Sequence, residues 1–139
     1  MRRLVIANED VVRYVDERIG GREHLPLDSF SIGMVDDKGQ LVGGVVFTGF
    51  DGIGITLHSA GASRMWLDRT FLRAIFSYPF KQLGCGRLST LVRTDNKPGQ
   101  TAALKSGFKF EGIIRRAEPD GCGLIFYGML KEECRWLEV

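Results

Sequence analysis

Two side chains that could transfer a proton stand directly before a stretch of small residues in this sequence. His58 and Ser59 end an apolar segment, residues 60–63 are small, and Arg64 follows them. Imidazole titrates near neutral pH and can accept a proton. A helix that starts at small residues exposes backbone N–H groups to which a phosphate can bind. The same pattern is also typical of an ordinary loop in which Ser63 caps the next helix, so both interpretations stay open.

A second segment, Asn96-Lys97-Pro98, predicts the start of a short helix. Asparagine is a favoured N-cap residue, and proline is favoured in the first helical turn. Gly107 is expected to end this helix, because glycine readily takes the left-handed conformation found after helix ends. The sequence thus predicts a capped helix of about ten residues, with the Asn96 amide at its start.

Hydrophobic periodicity predicts the elements that position these side chains. Apolar residues alternate along the strand candidates and recur at helical spacing in the helix candidates. The pattern predicts a mixed α/β fold and a single domain over residues 1–139. The first half is expected to contain a strand at Leu4–Ala7, a helix capped by Asn8 and ended by Gly20, and strands at 30–35, 41–50 and 53–58. A long helix then begins near Met65 and closes at Gly84. It is followed by a strand at 87–92, the Asn96 helix, and strands at 108–117 and 124–134.

Composition and charge exclude several classes of protein. The 139 residues are 44% hydrophobic and 26% charged, which is typical of a globular domain and excludes intrinsic disorder. The formal net charge is +2, so we expect no nucleic-acid partner and no attraction to an anionic membrane. No apolar run approaches the roughly 20 residues of a membrane span, and the apolar run near the start is too short for a signal peptide.

Cysteine and histidine usage indicates a reducing compartment and no metal site. Cys85, Cys122 and Cys134 are an odd number without paired spacing, so we expect free thiols in a cytoplasmic protein. His24 and His58 are the only histidines, and neither stands in a zinc-binding motif. Glycine is over-represented, with 18 residues, and Gly39, Gly52, Gly84, Gly107 and Gly121 at expected turns and helix ends account for much of the excess.

The segment Asn96–Gly112 resembles the second conserved segment of the GCN5-related N-acetyltransferases. In that family an Asn, a short helix, a Lys, Gly-Phe and Glu-Gly recur in this order, as Asn96, Lys105, Gly107-Phe108 and Glu111-Gly112 do here. The segment is most similar to the branch that contains the ribosomal-protein N-terminal acetyltransferases. The passage from Phe80 to Leu88 resembles the same family, and the ending Phe126–Leu137 resembles small acetyltransferase-like proteins of bacteriophages and prophages.

This resemblance implies a fold and a reaction. The fold is a mixed, mostly antiparallel sheet of six to seven strands with helices on both faces. Two central strands, here Ile53–Ser59 and Arg87–Val92, splay apart to admit the pantetheine arm. The implied activity is that of an acetyl-CoA-dependent N-acetyltransferase. Acetyl-CoA is the acyl donor and a primary amine the acceptor, either a peptide (a protein N-terminus or lysine) or a small molecule, with direct transfer in a ternary complex.

The resemblance also implies which residues form the site. A backbone N–H near Leu57 or His58 would stabilise the oxyanion, and Asn96 would contact the pantetheine. The loops around Gly20–Ser29 and Glu118–Gly123 would border the acceptor. The pyrophosphate would lie on the segment formed by Gly61, Ala62, Ser63, Arg64, Met65 and Trp66.

Catalytic roles follow on the same basis. His58 is the candidate base that deprotonates the amine, with Tyr127, Ser59 and Asp51 as weaker candidates, and an ordinary surface or hydrogen-bonded histidine is the alternative interpretation. Tyr127, Ser59 or water would protonate the leaving thiolate. Two positions depart from the family: Ala103 stands where many members have a tyrosine, and segment 60–66 lacks the usual pair of glycines. These departures motivate two alternatives, a catalytically inactive acyl-CoA-binding or interaction module and a phage-encoded assembly or modification protein. A strand exposed in the final hairpin would permit a homodimer.

Overall fold

The computed structural model describes residues 3–20, 24–61 and 68–137, which form seven strands and three α-helices. A π-helical turn, Tyr78–Gln82, extends the second helix, and a 3-10 turn, Lys131–Glu133, follows the last strand. The elements are β1 (Arg3–Ile6), α1 (Glu9–Ile19), β2 (Phe30–Val35), β3 (Leu41–Thr48), β4 (Gly54–Gly61), α2 (Arg69–Ser77), β5 (Arg87–Arg93), α3 (Lys97–Ser106), β6 (Lys109–Ile114) and β7 (Leu124–Leu130).

The seven strands of the described chain form one sheet with the order β1-β2-β3-β4-β5-β7-β6. Neighbouring strands are antiparallel everywhere except at β4 and β5, which are parallel. Helix α1 packs on one face of the sheet, and α2 and α3 pack on the other. The predicted fold class is therefore confirmed: a mixed α/β domain with a mostly antiparallel sheet and helices on both faces.

The ends of α1 and α3 lie where the sequence predicts them. The Asn8 side chain accepts a hydrogen bond from the Asp10 N–H at 2.7 Å, and Gly20 ends α1 in the left-handed conformation. In α3 the Asn96 side chain accepts the Gly99 N–H at 3.0 Å, and Gly107 ends the helix. Local capping chemistry decides both helices, which is why the sequence alone identifies them.

The start of α2 differs from the prediction. The helix begins at Arg69, and its N-cap is Asp68 rather than Ser63. The Asp68 carboxylate accepts the Phe71 N–H at 3.0 Å and so satisfies one of the free donors at the helix start. Residues 62–67 lie outside the described residues.

Several predicted strand ends were wrong by a few residues. Strand β4 continues to Gly61 instead of ending at His58, because pairing with β3 extends as far as the Gly43–Gly61 pair. Strand β6 spans only 109–114 and β7 stops at Leu130, where the 3-10 turn begins. Partner strands set these limits, and single-chain periodicity does not reveal partners.

Two hydrophobic clusters stabilise the layers. The larger lies between the sheet and α2, where Phe71, Phe76 and Phe80 are fully buried against sheet residues such as Leu88 and Met129. The smaller joins α1 to the other face, and its buried members are Val11, Val12, Val15 and Val46. Burial of each such aromatic or aliphatic side chain contributes about 1.5–3 kcal/mol, so these clusters account for the positions of both helices.

Candidate active site

Strands β4 and β5 separate halfway along their length. Their residues pair from Gly54 with Arg87 to Leu57 with Thr90. Beyond that pair β4 continues to Gly61 and β5 to Arg93 without pairing to each other. The splayed pair of central strands that the family resemblance implies is therefore present.

A buried threonine marks the point of separation. The Thr90 side chain is 6% exposed, and its Oγ1 donates a hydrogen bond to the Leu57 carbonyl at 2.8 Å. The Leu57 carbonyl therefore points toward β5. Because the N–H and C=O of one strand residue point to the same edge and the pattern repeats every second residue, the backbone groups of Ser59 also point toward β5. Those groups face the gap, whereas the backbone groups of His58 point toward β3.

The gap opens into a cleft of about 510 Å³. Its walls include residues 57–61 of β4, residues 90–93 of β5 and one side of α3. The α3 side is formed by small residues, among them Gly99, Ala102 and Ala103. A cleft between two strand ends with one wall of small residues can accept an extended chain whose amide groups bond to free strand backbone.

The start of α3 is held rigidly against this cleft. A Cβ on Gly99 would lie 2.5 Å from Asn96 Nδ2 and 3.0 Å from Val92 Cγ1, so this position needs glycine for the cap to form. Gln100 Nε2 donates to the carbonyls of Arg93 and Thr94 at 3.2 and 3.0 Å. Asn96 thus lines the cleft while its side-chain oxygen caps the helix.

His58 lies in the wall of the cleft on the α1 side of the sheet. It is half-buried, and its Nε2 lies 2.7 Å from Thr48 Oγ1. Burial lowers the pKa of the His58 imidazole below its ordinary value, because the charged form is poorly solvated there. The imidazole is therefore mostly neutral at pH 7. In the tautomer whose Nε2–H donates to Thr48 Oγ1, its Nδ1 has a lone pair that can accept a proton.

The other predicted site residues fall in different places. Ser59, Leu57 and Gly61 line the cleft, although the Leu57 side chain itself packs in the core. Tyr127 is only 3% exposed, belongs to the main hydrophobic cluster and is not a cleft-lining residue. The predicted pyrophosphate residues Ala62, Ser63, Arg64, Met65 and Trp66 lie outside the described residues.

The described start of α2 restricts how a pyrophosphate could bind. The Asp68 carboxylate already occupies the Phe71 N–H and places negative charge at the helix end. An anion at this end would meet like-charge repulsion and one fewer free donor. The first turn of α2, as far as it is described, therefore offers a phosphate one donor fewer than an uncapped helix start would.

Three residues that shape the cleft, Thr90, Arg93 and Arg18, carry no signal recognised in the sequence. Thr90 stands in an alternating strand, where a polar residue at an inward position was the available clue. Arg93 bonds Asp95 and Asp120, and these hydrogen bonds lower the pKa values of both carboxyl groups. The third, Arg18, also lines the cleft, and only the folded chain brings it there. Glu118 lines the cleft as well, and it begins the loop that was expected to border the acceptor.

The sheet order and the separation of the parallel pair decide the fold family. The chain has the fold of the GCN5-related N-acetyltransferases. An Ard1 protein from Thermoplasma volcanium superposes with a TM-score of 0.72 at 14% identity, covering 93% of this chain and 97% of that one. A mutant form of the spermidine N-acetyltransferase SpeG from Vibrio cholerae gives 0.73 at 13% identity, covering 94% of both chains. A protein of Acinetobacter baylyi assigned as an acetyltransferase gives 0.73 at 14%, covering 94% and 93%.

At this level of identity the likeness to acetyltransferases concerns the fold. No family model matches the sequence, and no curated protein matches it. Within the described ranges no group of three or more His, Cys, Asp and Glu side chains is arranged to hold a metal ion. No helix in that part of the chain is long and apolar enough to cross a membrane.

The Thr90–Leu57 hydrogen bond gives a first testable prediction. Replacing Thr90 with valine keeps the shape but leaves the Leu57 carbonyl without its hydroxyl donor. We expect a loss of about 1–3 kcal/mol in the free energy of unfolding, measured by urea denaturation. Thr90→Ser, which retains the hydroxyl, should lose clearly less. Equal losses in the two variants would show that packing, and not the hydrogen bond, holds the strands where they separate.

Proposed function

We propose that this protein is an acetyl-CoA-dependent N-acetyltransferase that acetylates a primary amine by direct transfer. The observation that carries the proposal is the cleft between β4 and β5, which opens where Thr90 ends their pairing. The fold shared with N-acetyltransferases supports the same reaction. The Ard1 protein and the spermidine N-acetyltransferase SpeG share this fold, so the fold leaves the acceptor open.

The donor would bind along the gap. Ser59, whose backbone N–H and C=O face β5, would pair with an amide of the pantetheine arm or with the acetyl oxygen. The small side chains of Gly99, Ala102 and Ala103 would let the arm approach α3 closely. Asn96 would contact the arm through its amide nitrogen, since its oxygen caps the helix.

His58 would act as the base. The amine nitrogen forms a bond to the acetyl carbon, the carbon–sulfur bond breaks, and the amine proton passes to the neutral His58 imidazole. The departing thiolate takes a proton from the Ser59 hydroxyl or from water. Tyr127 is a weaker candidate for this role than the sequence suggested, because its side chain is packed in the core. Holding both reactants in one cleft supplies much of the remaining rate enhancement.

Coenzyme A binding is the direct test of the proposal. Stabilisation by a ligand grows as RT ln(1 + [L]/Kd), so acetyl-CoA at 100 times Kd should add about 2.7 kcal/mol, a rise of about 8 °C in Tm. An amine panel assayed for thiol release then tests turnover. An unchanged Tm at millimolar acetyl-CoA and at millimolar free CoA would refute the proposed function.

The role of His58 predicts a specific pH dependence. Only the neutral imidazole accepts a proton, and burial lowers its pKa from 6.5. The decrease in kcat/KM that protonation of His58 causes, the histidine limb of the pH profile, should therefore appear only below pH 6.5. At neutral pH His58 should be in its active, neutral form. His58→Gln should lower kcat/KM by about 100-fold and remove that limb. His24→Gln is the matched control, since His24 lies outside the cleft and bonds Asp16. A limb that persists in His58→Gln would exclude this residue as the base.

A second candidate function is an acyl-CoA-binding module without turnover. It is favoured by Ala103, which lines the cleft as a small residue where many family members have a tyrosine, and by the buried position of Tyr127. Both leave the described cleft without a tyrosine hydroxyl to protonate the thiolate. Binding of acetyl-CoA without thiol release on any amine would identify this second function.

We also propose that the protein is cytoplasmic and forms a homodimer. Cys85 is buried and Cys122 and Cys134 are half-buried, all as free thiols, which suits the cytoplasm. The edge strand β6 exposes Phe110 and Ile113, which are 58% and 53% exposed and suit a homodimer contact. Membership in the branch of ribosomal-protein acetyltransferases and a phage or prophage origin rest on the sequence resemblance.

A further inference from the structure

Besides Arg93, whose guanidinium pairs with Asp95 and Asp120, two residues of opposite charge line the cleft from different elements. Arg18 stands at the end of α1, which packs on β3 and β4 through Val46 and Ala60. Glu118 stands on the turn between β6 and β7, which is fastened to the end of β5. The cleft therefore has a cation on its β4 side and a carboxylate on its β5 side.

Arg18 is held in place by its own helix. Its guanidinium carbon lies 3.5 Å from the centre of the Tyr14 ring, and its Nη1 donates to the Tyr14 carbonyl at 3.1 Å. Among the described residues no carboxylate forms a salt bridge with it. A guanidinium fixed in this way keeps further N–H donors for an anionic group of a ligand.

Glu118 is held in its turn by backbone hydrogen bonds, and its carboxylate takes no part in them. Its N–H donates to the Cys122 carbonyl at 3.0 Å, and its carbonyl accepts the Gly121 N–H at 2.9 Å. Arg93 Nη2 bonds Asp120 on this turn at 2.6 Å and Asp95 at 3.0 Å, which fastens the turn to β5. Among the described residues no cationic side chain pairs with the Glu118 carboxylate.

We propose that the amine acceptor is zwitterionic, an amino acid or a close analogue, whose ammonium group binds Glu118 and whose carboxylate binds Arg18. The Arg18 guanidinium is positioned by α1 and the Glu118 carboxylate by the turn between β6 and β7, and neither pairs with the other. Both groups are therefore preorganised to bind a charged group of a ligand. A ligand with both charges satisfies both receptors, whereas a diamine places a second cation beside Arg18. The proposal rests on the proposed function and narrows its acceptor.

The order of proton transfer agrees with this arrangement. Glu118 binds the ammonium form as the acceptor enters. The nitrogen first releases one proton to solvent, and its second proton passes to His58 as it forms the bond to the acetyl carbon and the carbon–sulfur bond breaks. The carboxylate on Arg18 does not react, so its contribution is to binding and orientation. Arg93 is a positioning residue, because it acts through the turn that carries Glu118.

The test compares amino acids with their amides, using glycine with glycinamide and L-leucine with L-leucinamide, and 1,4-diaminobutane as the diamine. For each pair, kcat/KM of the amino acid is divided by kcat/KM of its amide, in the native chain and in Arg18→Gln. The quotient of the native ratio over the variant ratio cancels the intrinsic reactivity of each amine. We expect a quotient of about 10 or more, the value of one charge-assisted hydrogen-bonded pair. Glu118→Gln should lower kcat/KM for acids and amides alike, by about tenfold.

Matched controls are Arg13→Gln on α1 and Glu132→Gln after β7, which lie outside the cleft and should leave the quotient and the rates unchanged. Isothermal calorimetry of L-leucine with the native chain and with Arg18→Gln gives a reading that needs no turnover, and affinity should drop about tenfold in the variant. A quotient near 1, or a preference for the diamine, overturns the proposal even when acetyl-CoA binds. Absence of acetyl-CoA binding overturns the proposed function instead, and the calorimetry still decides whether amino acids bind.

Discussion

Replacing Gly61 with alanine should destabilise the protein by about 3 kcal/mol, one of the two largest effects expected for a single substitution here. Gly61 ends β4 at φ +127°, a conformation that side chains rarely adopt. A Cβ there would overlap the Gly43 Cα and lie 2.7 Å from the Val42 carbonyl oxygen. Both obstacles are backbone atoms of β3, which cannot move aside without breaking the pairing of β3 with β4.

Two other glycines provide matched controls for this measurement. Gly39→Ala shares the positive φ, at +78°, but meets nothing within 4 Å, so it should cost only about 1 kcal/mol. Gly112→Ala has neither a positive φ nor a neighbour within 4 Å and should change stability by less than about 0.5 kcal/mol. Urea denaturation at constant m gives the three values. A Gly61→Ala loss no greater than that of Gly39→Ala would contradict the close approach of β3 and β4.

Gly61 has two separate reasons to be glycine, one proposed for binding and one set by the fold. The sequence singles it out as a phosphate-binding glycine on the basis of the family resemblance. The fold supplies a second requirement, since the backbone of β3 leaves no room for a side chain at this position. A stability loss in Gly61→Ala with unchanged acetyl-CoA affinity would assign the glycine to architecture, and a separate loss of affinity would add the binding role.

Replacing Ala102 with tryptophan should abolish coenzyme A binding. Ala102 lies on the cleft side of α3, and an indole there would fill space that the pantetheine arm needs. We expect Kd for acetyl-CoA to rise at least about 100-fold, which lowers the stabilisation at 100 times the native Kd from about 2.7 kcal/mol to about 0.4 kcal/mol or less. Thermal-shift titration and calorimetry measure both quantities.

Thr101→Trp is the control for this substitution. Thr101 is the preceding residue on the same helix, is exposed and is not a cleft-lining residue. It should leave acetyl-CoA affinity unchanged, while both variants should keep the far-UV circular dichroism of the native chain. Full affinity in Ala102→Trp would place the donor elsewhere and refute the assignment of the cleft to pantetheine.

The parts of the fold that local chemistry decides were predictable. Asn8 and Gly20 delimit α1, and Asn96 and Gly107 delimit α3, because caps and left-handed glycines act within a few residues of sequence. The start of α2 was predicted a few residues too early. The small residues before the helix made Ser63 the expected N-cap, whereas the structure has Asp68 there. The end of β4 was also missed, because its length depends on pairing with β3.

The sequence by itself therefore determined the class of fold, the order of its elements and the family to which the segment from Asn96 to Gly112 points. Alternation, helical spacing and capping residues encode these locally. Only the tertiary structure decided that Thr90 closes the pairing of β4 and β5, and that Arg18 and Glu118 line one cleft from different elements. Those residues are 28 to 100 positions apart in the chain, and no local pattern specifies which distant side chains a sheet brings together.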